Sequence, residues 1–131
     1  MLQPGLSLDL TFPVTPDLTA KAVGSGTLEV LATPIMIARM EQAAWTAVAP
    51  HLADGESTVG TLMNVQHLSP TPVGMEVTCR AELVQAEGRR LVFQVSAWDA
   101  RGPVGQGSHE RAVIQSGRFV EKARKKLTGT P

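Results

Sequence analysis

The chain has 131 residues, with 12 Lys and Arg against 12 Asp and Glu, so its formal net charge is zero. A neutral chain presents no basic field for nucleic acid or an anionic membrane surface, and no apolar run reaches the roughly 18 residues of a membrane span. The sequence also lacks the features of a signal peptide. We therefore expect one domain over residues 1–131, located in the cytoplasm, with no nucleic-acid or membrane partner.

Alternating leucines mark the first predicted strand. In "LSLDLTFPV", apolar and polar side chains alternate until Pro13 ends the strand. The passage that follows, "TPDLTAKAVGSGTLEVLA", contains glycines and is predicted to be an irregular connection.

The segment "LATPIMIARMEQAAWTAVAP" predicts a long helix that ends by Pro50. Thr33 offers an N-cap hydroxyl, and Pro34 follows at the first helical position. With residues about 100° apart around the axis, Glu41 points inward, among apolar side chains. A carboxylate in such surroundings is costly unless it is paired or hydrogen-bonded. We therefore expect Glu41 to have a partner or a chemical role.

Four further strands are predicted after the helix, at residues 57–68, 74–86, 89–99 and 103–115. The turn sequences "SPTPVG", "EGRR" and "DARGP" between them are interpreted as hairpins of an antiparallel meander. Cys79 alternates with apolar residues and is predicted to be a core residue. A short basic helix, "RFVEKARKK", follows the last strand. This order predicts an α+β fold in which the sheet covers the helix.

The long helix is apolar over most of its circumference, whereas one sheet can cover only one side of it. A second copy of the chain would cover the remaining apolar surface. We therefore expect a homodimer.

Three polar groups stand out within this plan. In a regular strand, every second residue from Val59 to His67 would share one apolar face. Glu41 and His67 are then two inward-pointing titratable groups, and we expect each to be the partner of the other. Thr33 lies at the helix start, where free N–H groups favour a developing oxyanion. The other histidines, His51 and His109, are predicted to lie on the surface.

Five stretches carry a resemblance to a known family. They are "ATPIMIARMEQAAW", "APHLADGESTVGT", "VQHLSPTPVG", "AEGRRLVFQVSAWD" and "GSHERAVI". With them, the chain resembles the fluoroacetyl-CoA thioesterase family of hotdog-fold proteins. The catalytic group of that family is a threonine at the helix start, a glutamate eight residues later and a histidine 26 residues further on. Thr33, Glu41 and His67 reproduce both spacings.

Two more positions match this family. Gly60 corresponds to a glycine seven residues before the histidine, and Arg111 to an arginine in the final strand. The resemblance implies that both contribute to substrate binding.

The resemblance implies an α+β hotdog fold, with an antiparallel sheet wrapped around one long helix. The implied reaction is hydrolysis of a small or medium acyl-CoA thioester at a homodimer interface, with no metal and no cofactor besides the CoA of the substrate. Glu41 would act as nucleophile or general base and His67 as its proton partner, with Thr33 near the carbonyl oxygen. Thr33 and Glu41 lie about 12 Å apart along a regular helix. Either the first turn is unwound, or the groups meet between two subunits.

One departure bears on the acyl group. The fluoroacetyl-specific member carries phenylalanines before the helix that form an apolar lid, whereas "KAVGSGTLEV" here has no aromatic residue. We therefore expect a more ordinary acyl group. Two alternative functions are a hotdog hydratase or dehydratase, in which the histidine precedes the helical acid, and a non-catalytic acyl-CoA binding protein.

Overall fold

The computed structural model describes residues 2–129, so the first residue and the last two of the predicted domain 1–131 lie outside this range. Five strands and three helices make up this part of the chain. The strands are β1 (Ser7–Pro13), β2 (Glu56–His67), β3 (Glu76–Glu87), β4 (Arg90–Asp99) and β5 (Gly102–Gln115). The helices are α1 (Ala20–Val23), α2 (Thr33–Val48) and α3 (Ser116–Arg124). All helices within residues 2–129 are too short or too polar to span a bilayer.

The five strands form one antiparallel sheet in the order β1-β3-β4-β5-β2, and the sheet packs against α2. This confirms the predicted α+β hotdog fold. The strand boundaries agree with the sequence prediction to within about two residues, because the turn residues interrupt the alternation clearly. The basic helix is also present, and it begins at Ser116.

The predicted meander is wrong in one connection. β2 pairs with β5 at the sheet edge, and only β3, β4 and β5 follow one another as hairpins. The segment "SPTPVG" is therefore a crossover. It is held against the entry to α2, where the N–H of Leu31 donates to the carbonyl of Thr71 and Val30 forms a bridge with Pro72. Pro70 and Pro72 have no N–H to offer to a hairpin ladder.

The passage predicted to be irregular contains local structure. A 3₁₀ turn covers Pro16–Leu18, and α1 follows directly. Thr19 caps α1 by accepting a hydrogen bond from the N–H of Ala22, and Gly24 ends it with a left-handed φ of 83°. A threonine cap and a glycine stop therefore define one helical turn here.

The core lies between α2 and the inward faces of the central strands. The buried helix side chains are Met36, Met40, Ala43, Ala44 and Val48. Cys79 lies within this core, as predicted, and burial raises the pKa of its thiol to about 12. A thiol that stays protonated in an apolar site is a packing residue, not a nucleophile.

Candidate active site

A β-bulge in β2 determines which side chains face the helix. The pairing with β5 shifts between Gly60 and Leu62, so Thr61 is an extra residue that faces solvent and donates its hydroxyl to the carbonyl of Glu110. The extra residue reverses the alternation along the strand. The expectation that every second residue from Val59 to His67 shares one face is therefore wrong.

After the bulge, the inward positions are Met63, Val65 and His67, which pair with residues 109, 107 and 105 of β5. Before it, the inward positions are Thr58 and Gly60. The bulge thus lets the side-chain positions of Gly60 and His67 both face the helix, although their spacing of seven positions would put them on opposite faces of a regular strand.

The first polar cluster of the site joins Glu41 to Arg111. Arg111 is 5% exposed, and its Nη1 donates to Oε2 of Glu41 at 3.0 Å. The guanidinium is also held by Thr58, with Nε donating to Oγ1 at 2.9 Å and Nη2 donating to the backbone carbonyl at 3.0 Å. The pKa of Arg111 is lowered by burial, and the neighbouring Glu41 opposes that shift. The two elements α2 and β5 are therefore linked by a directed charge-assisted hydrogen bond.

Glu41 itself is less enclosed than expected. Its side chain is 39% exposed in the single chain, because it lies on the flank of α2 beside the edge strand. Within residues 2–129, no hydrogen bond or ion pair joins it to His67. Within one chain, Glu41 therefore has the partner that was expected, but this partner is Arg111 and not the predicted His67, and the carboxylate is only partly buried.

His109 completes this cluster, and the prediction that it lies on the surface is wrong. It is 1% exposed and stacks on Phe93, with ring centroids 6.1 Å apart. Its Nε2 lies 3.1 Å from Nη1 of Arg111 and 3.8 Å from Oε2 of Glu41. A signal was present in the sequence, because residues 109, 111 and 113 share one face of β5 and Val113 is apolar.

Gly60 lies against Glu41, His109 and Arg111, and its lack of a side chain makes room for them. A Cβ atom on Gly60 would overlap Oε2 of Glu41 and lie 3.3 Å from Cε1 of His109. The backbone of β2 can approach the carboxylate closely only because Gly60 has no side chain. Gly60 and Arg111, both predicted as site residues, therefore lie beside Glu41.

The second polar cluster joins Thr33 to His67. The hydroxyl of Thr33 lies 2.7 Å from Nδ1 of His67. Ala32, with extended backbone angles, is the N-cap of α2, so the prediction of Thr33 as the cap is wrong by one position. The hydroxyl of Thr33 contacts His67 of β2 instead of the helix N–H groups.

Burial lowers the pKa of His67, and the backbone of Ser69 opposes this shift. Burial therefore favours the neutral form of the ring. Its Nε2 is buried and has no hydrogen-bond partner of normal geometry among residues 2–129. A buried ring nitrogen without a partner is unusual in a folded protein.

The two clusters lie about two helix turns apart along α2. The N–H of Met36 donates to the carbonyl of Ala32 at 3.1 Å, so the first turn of α2 is wound. The alternative of an unwound first turn is therefore excluded, and Thr33 and Glu41 lie about 12 Å apart along the axis. Each chain thus has two separate polar clusters on the same side of its sheet, Thr33 with His67 and Glu41 with Arg111.

A pocket of about 310 Å³ adjoins the Thr33–His67 cluster. Its lining residues are small, aliphatic or hydroxylic apart from His67. They are Ala20, Ser25, Val30, Leu31, Thr33, His67, Leu68, Ser69 and Pro70. The passage before the helix therefore forms one wall of this pocket without any aromatic side chain.

The chain has a hotdog sheet around one helix, an acid on that helix and a threonine–histidine pair at the helix start. These features define the class of hotdog-fold thioester hydrolases. Residues 14–117 match the family described as fluoroacetyl-CoA-specific thioesterase. The chain belongs to the fluoroacetyl-CoA-specific thioesterase family.

Individual relatives agree with this assignment. The fluoroacetyl-CoA thioesterase of Streptantibioticus cattleyicolor is 48% identical over 98 residues, which cover 75% of this chain and 70% of that protein. A structure of the fluoroacetyl-CoA thioesterase FlK has a TM-score of 0.92 and 39% identity, covering 100% of this chain and 99% of that one. A FlK mutant in complex with acetyl-CoA has a TM-score of 0.91 and 39% identity, covering 99% and 100% of the two chains.

Proposed function

We propose that this protein hydrolyses a small or medium acyl-CoA thioester at sites shared between two copies of the chain. The observation that carries the proposal is the division of the polar groups into two half-sites, Thr33 with His67 and Glu41 with Arg111. Within one chain, Glu41 and the Thr33–His67 pair lie in different half-sites, and both ring nitrogens of His109, the histidine beside Glu41, are already engaged by Leu62 and Arg111. The relatives that act on fluoroacetyl-CoA or bind acetyl-CoA support the substrate class.

The edge strand β2 explains how the half-sites would meet. β2 has 12 residues and borders only β5, so its other edge has unpaired backbone groups. Antiparallel pairing of two β2 strands about a two-fold axis near Met63 or Asn64 would bring Gly60 of each copy close to His67 of the other. Glu41 of each copy would then lie near the Thr33 half-site of the other.

The same pairing would cover an apolar flank of α2. Trp45 lies one turn after Glu41 and is 46% exposed in the single chain. Burying one large aromatic side chain stabilises an interface by about 1.5–3 kcal/mol. The homodimer therefore accounts for both the open strand edge and the exposed tryptophan.

In the proposed reaction, Glu41 provides the negative charge that acts on the thioester. It either attacks the carbonyl carbon, giving a mixed anhydride and CoA thiolate, or removes a proton from the water that attacks. A mixed anhydride would then be cleaved by water to the free acid. In both routes the C–S bond breaks with its electron pair on sulfur, and the CoA thiolate then needs one proton to become the free thiol.

His67 and Thr33 have complementary roles in this scheme. The neutral ring of His67 can accept a proton, either from the water that cleaves the anhydride or from Glu41 after Glu41 has deprotonated the attacking water, and can pass it to the CoA thiolate. The Thr33 hydroxyl orients the ring through Nδ1, and the N-terminus of α2 stabilises negative charge on the carbonyl oxygen. Nε2 of His67 is buried and unpaired in the single chain, so the proposal requires that the bound substrate or the second copy supply its partner.

The acyl group is proposed to be an ordinary small or medium chain. The pocket beside Thr33 has a wall formed by Ala20, Ser25 and Val30, which gives it an open and weakly polar surface. No aromatic residue among those that line it could close over a fluoromethyl group. Selectivity between aliphatic groups in such a pocket is about 10–200-fold per methylene.

Subunit complementation tests the proposal directly. Glu41→Gln and His67→Ala proteins are each expected to release free CoA from acetyl-CoA and longer acyl-CoAs at a strongly reduced rate. After unfolding, mixing and refolding together, random pairing makes half of the dimers mixed, and one of the two sites in each has no substitution. We expect recovery of about a quarter of the wild-type activity per site.

The controls separate the possible outcomes. Each variant refolded alone should remain inactive, and sedimentation should show dimers in all samples. No recovery in a mixture that contains mixed dimers would refute the shared site. Wild-type protein that binds acyl-CoA but releases no CoA from any substrate would refute hydrolysis and favour a binding protein.

A further inference from the structure

His109 is held in one orientation by groups from three strands. Its Nδ1 lies 2.8 Å from the backbone carbonyl of Leu62 in β2, and its ring stacks on Phe93 of β4. On its own strand, Nη1 of Arg111 lies 3.1 Å from Nε2. The ring is 1% exposed, so these contacts are not exchanged with water.

These contacts determine where the ring proton resides. A backbone carbonyl can only accept, so Nδ1 carries the hydrogen and donates it to Leu62. In the neutral ring, Nε2 then has a lone pair, which accepts a hydrogen from Nη1 of Arg111. The mechanism proposed above assigns no task to this buried acceptor.

We propose that His109 is a positioning residue for hydrolysis, which acts as an uncharged acceptor that aims Nη1 of Arg111 at one oxygen of Glu41. This inference rests on the proposed function, because it concerns the orientation of the Glu41 carboxylate. His109 itself does not touch the substrate in this arrangement.

The hydrogen-bond arrangement of Arg111 explains why an acceptor is needed at this point. Nε and Nη2 are both directed to Thr58, which fixes one side of the guanidinium. The two hydrogens of Nη1 go to Oε2 of Glu41 and to Nε2 of His109. Without the second acceptor, the guanidinium could turn to take both carboxylate oxygens. Oε1, which has no hydrogen-bond partner among residues 2–129, would then be lost to the reaction.

The acceptor must also remain uncharged. A proton on Nε2 would face the hydrogens of Arg111 and would place two positive charges side by side. The charged groups that face His109 are Arg111 from β5 and Glu41 from α2, while β2 offers the carbonyl of Leu62 and β4 the ring of Phe93. Burial, with Arg111 in the same direction, lowers the pKa of His109, and Leu62 and Glu41 oppose the shift.

Three substitutions separate the tasks of the ring. His109→Gln places a side-chain oxygen near the position of Nε2, so an acceptor for Arg111 is kept. His109→Asn can keep the bond to Leu62 but cannot reach Arg111, and His109→Leu keeps neither. We expect kcat to fall by about 10- to 100-fold in the Asn and Leu proteins, with little change in KM and with Gln within about threefold of wild type.

The measurements should be made on folded dimers, with Tm and circular dichroism recorded for each protein. Folded Asn and Leu proteins with wild-type kcat, or a Gln protein as slow as Leu, would overturn the inference. If a variant does not fold, the position of the His109 ring proton in the wild-type protein provides the test. Long-range ¹H–¹⁵N correlation should show the His109 proton on Nδ1, and a proton on Nε2 would equally overturn it.

Glu41→Gln in the same assay distinguishes a failure of the proposed reaction from a failure of the role of His109. If the wild-type protein releases no CoA from any acyl-CoA, the proposed function itself fails; if Glu41→Gln retains normal turnover, the role of Glu41 fails and the positioning role of His109 fails with it. If Glu41→Gln is inactive while His109→Asn is folded and fully active, only the positioning role of His109 fails.

Discussion

The hydroxyl of Thr33 lies 2.7 Å from Nδ1 of His67 and joins the first turn of α2 to the last residue of β2. The hydroxyl does not cap the helix, because Ala32 occupies the cap position. The contact therefore concerns the orientation of the histidine, and its role can be separated from helix stability.

Thr33→Val is expected to lower kcat by about 100-fold, since the ring of His67 loses its orienting partner and the carbonyl oxygen loses a hydroxyl. The free energy of unfolding should change by less than about 1 kcal/mol, because no cap is removed. Steady-state kinetics and thermal unfolding of the same sample measure both. Thr33→Ser is the control and should remain active, whereas an inactive Ser protein would show that the methyl group matters more than the hydroxyl.

Glu41→Gln is expected to lower kcat by about three orders of magnitude, because the amide cannot act as nucleophile or base. It should also destabilise the protein by about 1–2 kcal/mol, since Arg111 loses a charged partner. The cost is below the 3–5 kcal/mol of a fully buried pair because Glu41 is partly exposed to solvent.

Glu110→Gln is the matched control for this change. Glu110 lies next to Arg111 in β5 but on the outer face of the sheet. It pairs with Arg90 at 2.9 Å, and the Arg90 side chain is 52% exposed. We expect wild-type turnover and a stability change within about 0.5 kcal/mol. Equal loss of activity in both proteins would show that net charge, not the Glu41 carboxylate, determines the rate.

Gly60→Ala is expected to reduce kcat strongly while leaving the protein folded. The new Cβ would overlap Oε2 of Glu41, and the flexible end of that side chain can move away from it at the expense of its bond to Arg111. Gly117→Ala in α3, where a Cβ meets nothing within 4 Å, is the control and should be neutral or slightly stabilising. Normal turnover in Gly60→Ala would contradict the close approach of β2 to the carboxylate.

The stability of the protein is expected to fall as the pH drops below about 6.5. The pKa values of His67 and His109 are both lowered by burial. Above the unfolded pKa both rings are neutral in both states, so their contribution is constant. As the pH falls towards the folded pKa values, the unfolded chain binds protons first and the free energy of unfolding decreases.

Thermal unfolding between about pH 8 and pH 5 measures this slope, and His109→Gln should make it shallower because glutamine does not titrate. An unchanged slope in the variant would show that His109 takes up its proton equally well in both states.

Fluoroacetyl-CoA and acetyl-CoA are expected to differ only modestly in kcat/KM, by about the factor that follows from the greater reactivity of the fluorinated carbonyl. The reason is the pocket wall at Ala20, Ser25 and Val30, which lacks aromatic cover. Longer acyl chains should also be accepted. A preference of several orders of magnitude for fluoroacetyl-CoA would show that another group recognises the fluorine.

Local patterns predicted much of the fold. Alternation identified the strands, and Thr33 with Pro34 placed the start of α2 to within one residue. The pairing of β2 with β5 could not be predicted in this way, because it depends on contacts between segments that are far apart in sequence. The crossover at "SPTPVG" carries the same turn residues as a hairpin.

The candidate site was predicted only in part. Thr33 and His67 are joined in the structure, but Glu41 lies two helix turns away from them and is paired with Arg111, beside Gly60, which the bulge at Thr61 turns towards the helix. A bulge of one residue leaves little trace in a sequence pattern. His109 was missed for a related reason, since its burial depends on both neighbouring strands.

The strand order β1-β3-β4-β5-β2 also constrains the order in which the protein can be completed. β2 precedes β3 in the chain, yet its partner β5 is the last strand to be synthesised. Until β5 is available, β2 has two open edges and the Arg111 that holds Glu41 does not exist. Such non-local pairing is slow to form, so we expect the contact between Glu41 and Arg111 to be completed late in folding. Chains truncated before residue 102 should therefore expose β2 and depend most strongly on chaperones during synthesis.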